Sequence, residues 1–139
     1  MSIKTWKKEF YPSAALCPKT IKGRIKHSLR KWLGLLPKNL KKHNLKQVGW
    51  SLVSKKCNEM EHNFIVDGKT CSLCRKNSIK NNCKNCIFTL NIGRCDEPHG
   101  RLPSLYSTWV VRHNPEPMIK ALWLLLKMKE AGILREAAQ

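Results

Sequence analysis

Apolar positions along the chain fall into two stretches of clear helical period. In the first, Ile21, Ile25, Leu29, Trp32 and Leu33 recur at three- and four-residue intervals, which predicts a helix from about Thr20 to Leu33 with one apolar face. Thr20 suits its N-cap, and Gly34 and Pro37 end or kink it. Beside the apolar face, Lys22, Lys26 and Arg30 recur every four residues as a basic stripe. In the second stretch, Met118, Ile119, Leu122, Trp123, Leu125 and Leu126 make a wide apolar face. Asn114 is its expected N-cap, Pro115 takes the first helical position, Glu116 suits the positive end of the dipole and Gly132 is the stop. The two helices are expected to pack on each other and on the segment between them.

Elsewhere the pattern is weaker. Residues 1–19 read as irregular, anchored by Trp6, Phe10 and Tyr11 and interrupted by Pro12 and Pro18. Residues 37–47 predict a second helical piece, with Leu40 and Leu45 inward and Lys38, Lys41, Lys42 and Lys46 outward. Trp50–Val53 fits strand and helix equally. Phe64-Ile65-Val66 reads as a short strand ahead of an Asp67-Gly68 turn signal. Residues 101–113 form a mixed apolar segment containing Leu102, Leu105, Tyr106, Trp109, Val110 and Val111. The expected fold is a single, mainly α domain with a small zinc-knuckle module. It divides into a basic helical region at 1–56, a cysteine module at 57–100 and a C-terminal helix region at 101–139, with strands only near the knuckles.

Charge sharpens this picture. The 139 residues carry 27 Lys and Arg against 9 Asp and Glu, for a net +18. Residues 1–56 hold 15 of the basic residues and a single acid, Glu9. Such a segment repels itself on folding and attracts a polyanion. Nucleic acid is the first expectation; an acidic protein or an anionic membrane surface is the alternative, and each lysine taken alone is also what a solvated helix face looks like. The expected contact set is Lys22, Lys26, Arg30, Lys31, Lys38, Lys41, Lys42 and Lys46. Lysine dominates it, which points to phosphate contact with weak sequence preference and steep salt dependence. Trp6, Phe10, Trp32 and Trp50 are interleaved with these charges and could stack on bases, although the helical spacing of Trp32 marks it as core.

Several function classes are excluded or disfavoured. The longest apolar run, Ala121–Leu126, is far short of the ~18 residues of a membrane span, so no membrane partner is expected. Phosphate-cradling glycine motifs and the nucleophile elbow do not occur. The first residues lack the apolar core and cleavage site of a secretory leader, which favours a cytoplasmic setting and disfavours disulfides.

Under those conditions the cysteines point to a metal. Cys71, Cys74, Cys83, Cys86 and Cys95 follow the spacing C-x2-C-x8-C-x2-C-x8-C. A two-residue gap lets two thiolates turn onto one ion, and two such knuckles complete a closed tetrahedral zinc site of structural type. Cys71, Cys74, Cys83 and Cys86 are the simplest ligand set, with Cys95 as the alternate. His99 and Cys57 are weaker candidates, Cys17 has no assigned role, and an iron–sulfur cluster, a redox dithiol or plainly buried thiols remain the competing explanations. Catalysis is not expected. His62-Asn63 and His113-Asn114 invite comparison with His-Asn-His nucleases, but the paired histidines and nearby acid of such a site are not evident. The zinc-deaminase signature is absent.

The order of elements carries a resemblance. A basic helix with Ser28-Leu-Arg-Lys-Trp32 precedes Cys71-x-Leu-Cys74, Cys83-x-Asn-Cys86-Ile87 and Gly93-x-Cys95, then a Pro, Tyr106 and Trp109, and the helix Pro117-Met-Ile-Lys-Ala-Leu-Trp123. Over roughly residues 20–130 this resembles small cysteine-rich proteins of bacteriophages and other mobile elements. The chain departs from their pattern at Asn85, where Gly is usual, and at Ile87, where Pro is usual. The resemblance implies zinc binding and a phage context without an activity. That context adds a second expectation, an anti-defence or host-takeover protein that binds a host protein or nucleoprotein complex.

Overall fold

The computed structural model describes residues 2–12, 20–55, 64–66, 70–71, 73, 86–98 and 103–136. Six helices and a small sheet occur among them. Helix α1 (Ile3–Phe10) starts at a reciprocal cap: the Ser2 hydroxyl accepts from the Thr5 backbone, and Thr5 Oγ1 accepts from the Ser2 backbone at 2.9 Å. Its Trp6 and Phe10, one turn apart, are buried. The expectation of an irregular N-terminus is therefore corrected over residues 3–10. Two apolar anchors and a cap are enough once a core exists to receive them.

Helix α2 (Ile21–Gly34) begins where expected, with Thr20 Oγ1 accepting from Gly23 N at 3.0 Å. Ile25, Leu29 and Trp32 are buried on its apolar face, and Ile21 and Leu33 pack at the margin. Trp6 Nε1 donates to the Gly34 carbonyl at 2.9 Å, which seats α1 across the end of α2. Helix α3 (Pro37–Lys42) follows, with Pro37 at its start and the Asn39 amide donating to the Leu33 carbonyl at 2.8 Å.

Residues 45–54 correct the expectation that strands lie only near the cysteines. The helical piece predicted over 37–47 stops at Lys42, and Asn44 takes a left-handed conformation with φ 57°. Strands β1 (Leu45–Val48) and β2 (Ser51–Ser54) then pair as a tight antiparallel hairpin across Gly49 and Trp50. Gly49 also has φ 57°, the conformation that such a two-residue turn demands and glycine supplies without strain. Strand β3 (Phe64–Ile65), which the sequence pattern did predict, adds to β2 with Ser51 opposite Ile65 and Leu52 opposite Phe64. The Asp67-Gly68 turn signal lies outside the described residues.

Helix α4 (Ile87–Asn91) begins after Cys86. Helix α5 (Leu105–Arg112) orders the mixed apolar segment; Ser104 caps it and His113, with φ 55°, ends it. Helix α6 (Glu116–Glu130) starts one residue later than expected, with Pro115 as its N-cap and Asn114 Oδ1 accepting from Glu116 N at 3.2 Å, and stops at Gly132, where φ is 74°. Trp123 departs from the predicted apolar face: it is 45% exposed, while Met118, Ile119, Leu122, Leu125 and Leu126 are buried.

As expected, α2 packs on α6. Trp32 meets Trp109 of α5 edge-on at 5.4 Å, and Trp6 and Tyr11 both close on Phe64, at 5.0 and 4.8 Å. One core thus joins both ends of the chain and the sheet. At Gly34 it leaves no room for a side chain, since an added Cβ would stand 2.5 Å from Phe10 Cγ. Ala is better than Gly in an open helix by about 1 kcal/mol. Here overpacking reverses the sign, and Gly34→Ala is expected to destabilise by about 1–3 kcal/mol in a denaturant melt. A gain in stability would contradict the packing of α1 on α2.

Candidate functional site

The eight expected contact residues of the N-terminal half separate into three groups by their surroundings. Lys26, Lys38, Lys41 and Lys46 are exposed and have no ion-pair partner among the described residues. They lie on three successive elements, α2, α3 and β1. A second group is engaged at the surface. Lys22 faces Glu130 of α6 at 3.6 Å, Arg30 donates through Nε to the Glu9 carbonyl, and Lys42 donates to the Glu9 carboxylate at 2.8 Å. The His43 ring completes that cluster at 2.6 Å, with Thr5 Oγ1 at 2.9 Å on its other nitrogen. The hydrogen bonds from Lys42 first and His43 second hold the Glu9 carboxyl below the usual carboxylate range. Glu9 therefore gathers α1, α2 and α3 and spaces the cations of that face.

Lys31 stands alone in the third group. Sequence pattern placed it with the contact residues, but it is 1% exposed. Its Nζ donates to the Thr70 carbonyl at 3.0 Å and lies 5.6 Å from the Trp32 ring centre. The reason is angular. Lys31 is one turn beyond His27 on the side of α2 that the chain at residues 70–71 covers, whereas Arg30 points to solvent.

The aromatic residues interleaved with the charges also separate. Trp6, Phe10 and Trp32 are core, and Trp50 is 57% exposed. Its backbone is fixed on both sides, by the hairpin turn and by Val66 N donating to its carbonyl at 2.9 Å. Strand register puts Lys46 and Val53 in one row, and Val48, Ser51 and Ile65 in the next, on the outer face of the sheet. Val48 and Ile65 are exposed there. Gln47 Nε2, on the inner side, donates to the Trp109 carbonyl at 2.9 Å and ties the hairpin to α5.

Of the cysteines, Cys71, Cys86 and Cys95 fall within the described residues; Cys17, Cys57, Cys74 and Cys83, together with His62 and His99, lie outside them. Among the described residues no three His, Cys, Asp or Glu side chains form a group that could hold a metal. Cys86 is buried before α4, and the Cys95 carbonyl accepts from Tyr106 N at 2.9 Å. Cys71 approaches α2, with its Sγ 3.7 Å from Ser28 Oγ. Beside Ser28, His27 is buried under the Tyr11 ring. Burial and the Lys31 charge lower the His27 pKa, against smaller opposing effects from Cys71 and the Pro12 carbonyl. His27 carried no role in the sequence pattern. Its only signal there was its position one turn before Lys31.

No described helix is long and apolar enough to cross a membrane. No protein-family description matches the chain, and neither the curated proteins nor the solved structures contain a match to it.

The two kinds of lysine should respond differently to charge reversal. Lys31→Glu would bury a carboxylate against the Thr70 carbonyl, and a loss of about 3–5 kcal/mol in chemical denaturation is expected. Lys26→Glu, at an exposed position, should stay within about 0.5 kcal/mol of wild type. Equal effects at the two positions would contradict the burial of Lys31.

Proposed function

We propose that this chain is a non-catalytic, zinc-stabilised basic protein that binds nucleic acid, free or within a nucleoprotein complex, through its N-terminal half. The observation that carries the reading is the set Lys26, Lys38, Lys41 and Lys46, exposed cations without ion-pair partners among the described residues, together with an exposed Trp50 at the turn of the hairpin that carries Lys46. Unpaired cations held on rigid elements gain from phosphate by releasing its condensed counterions. An exposed aromatic ring on the same basic half offers a stacking surface to an unpaired base without choosing its identity. The combination favours single strands or loops over uniform duplex. Glu9 fits this role as a spacer: it takes up Lys42 and leaves the others free. Zinc serves as a structural ion held by the cysteine-rich segment.

A second reading has its own observation. Trp123 and Leu124 are exposed together on α6, away from the residues that α6 buries. A host protein recognised there, as an anti-defence or takeover protein would require, would need no free nucleic acid.

Binding measured by fluorescence anisotropy separates the two. With labelled single-stranded DNA or RNA, reversing Lys26, Lys38 and Lys41 together to Glu should cost at least about 100-fold in affinity while the thermal melt is unchanged. Trp50→Ala should cost about 5- to 150-fold on single strands, the range that base stacking on an aromatic supplies, and less on duplex. Unchanged affinity in both variants would overturn the assigned surface and move the function to a protein partner.

A further inference from the structure

Helix α6 buries its wide apolar face and still leaves two large apolar side chains in solvent. Trp123 is 45% exposed and Leu124 50%. Single exposed apolar residues are ordinary on a protein surface, so the neighbours decide what this pair means. Lys120 stands one turn before Trp123 and Lys127 one turn after it, at i−3 and i+4, which places all three on one side of the helix. Both lysines are exposed, and neither has an ion-pair partner among the described residues. Two turns of helix, about 10.5 Å, separate them, with the ring between.

The position of α6 against α2 extends this face. Lys22, at the start of α2, meets Glu130, at the end of α6, at 3.6 Å. Trp32, near the other end of α2, meets Trp109 of α5, the helix that precedes α6. The two helices therefore run in opposite directions along their contact. From the Lys22–Glu130 pair, one turn inward along α2 reaches Lys26, and one turn inward along α6 reaches Lys127; a second turn along α6 reaches Trp123. Lys26, already part of the N-terminal surface, and Lys127 thus follow the same rim of the α2–α6 seam. The acids of this face sit at its ends: Glu130 is taken by Lys22, and Glu116 lies in the first turn of α6. Between them the face is cationic around an exposed indole. A membrane surface would need a broad apolar face turned outward, and α6 turns its broad face to the core. Phosphate gains from unpaired lysines by counterion release, and every base has a face that stacks on an aromatic ring.

We propose that α6 carries a second stacking subsite for single-stranded nucleic acid, in which Trp123 takes one unpaired base and Lys120 and Lys127 take phosphates on either side of it. The proposal rests on the nucleic-acid reading above and goes beyond it: the bound strand leaves the N-terminal half at Lys26 and crosses onto the C-terminal helix. Trp50 and Trp123 then hold bases at two separate places. Sequence preference is weak at both, because stacking and lysine–phosphate contact do not read base edges. Trp123 and Leu124 alone would suit a host protein equally; the flanking lysines decide for a polyanion that carries bases.

Fluorescence anisotropy with labelled oligothymidylate tests the subsite apart from the N-terminal surface. Trp123→Ala is expected to weaken binding about 5- to 150-fold with the melting temperature unchanged, and Trp123→Phe, which keeps a ring, to stay within about threefold of wild type. Lys120→Ala combined with Lys127→Ala removes two phosphate contacts and should make the slope of log affinity against log salt shallower by about 1.4. Wild-type affinity and slope in these variants, with binding still lost when Lys26, Lys38 and Lys41 are reversed, would overturn the subsite and leave the N-terminal reading standing. Failure of the wild-type protein to bind oligothymidylate, structured RNA and duplex DNA at low salt would overturn both and give Trp123 and Leu124 to a protein partner.

Discussion

Along α2 an apolar seam lies against α6, and at its end Trp32 meets the buried Trp109 edge-on. That contact sets the terms for everything else, because the same helix must also carry Lys22, Lys26 and Arg30 on its outer side. The energies decide which demand prevails. Each fully buried large apolar side chain contributes about 1.5–3 kcal/mol, whereas an exposed charge pair is worth about 0–1 kcal/mol in either direction. Ile25, Leu29 and Trp32 therefore hold α2 in place against the repulsion of its own cations. The core does not need those cations, so Lys26 can stay unpaired among the described residues while Lys22 and Arg30 make only surface contacts.

Only a small part of the charge is neutralised internally, and the acids are placed accordingly. Glu9, the single acid of the first 56 residues, sits where α1, α2 and α3 meet and takes Lys42 and His43. Glu130 meets Lys22 at the far end of α2. Between those two points the surface of α2, α3 and β1 is left positive. The hairpin continues that surface, and its turn holds Trp50 outward while Gln47 fixes its inner side to α5.

What the sequence revealed and what it concealed follow from the range of the interactions involved. Helices α2 and α6 were legible because many apolar residues repeat at one period and the start signals, Thr20 and the Asn114-Pro115 pair, are local. Helix α1 was hidden because its pattern is short: Trp6 and Phe10 acquire a face only when Gly34 and Phe64 are there to meet them. The hairpin was masked by Lys38, Lys42 and Lys46, whose four-residue spacing continues a helical pattern past its true end. The left-handed Asn44 and Gly49 override it. Lys31 and His27 are the clearest failures of local pattern. Lys31 looks like a member of a solvated face and His27 carries no pattern at all, yet both are buried, Lys31 by the chain at Thr70 and His27 under Tyr11. The basic surface was thus readable as composition, but the division of its lysines into exposed, paired and buried was not.

The most direct test of the account is a salt titration of binding. Wild-type protein would be titrated against single-stranded DNA, duplex DNA and a structured RNA across a range of salt concentrations. A surface of four or more unpaired lysines predicts that the logarithm of the affinity falls linearly with the logarithm of salt, with a slope of roughly −3 or steeper on single strands. Absence of binding to all three at low salt, or an affinity indifferent to salt, would contradict the claim that this face exists to meet phosphate.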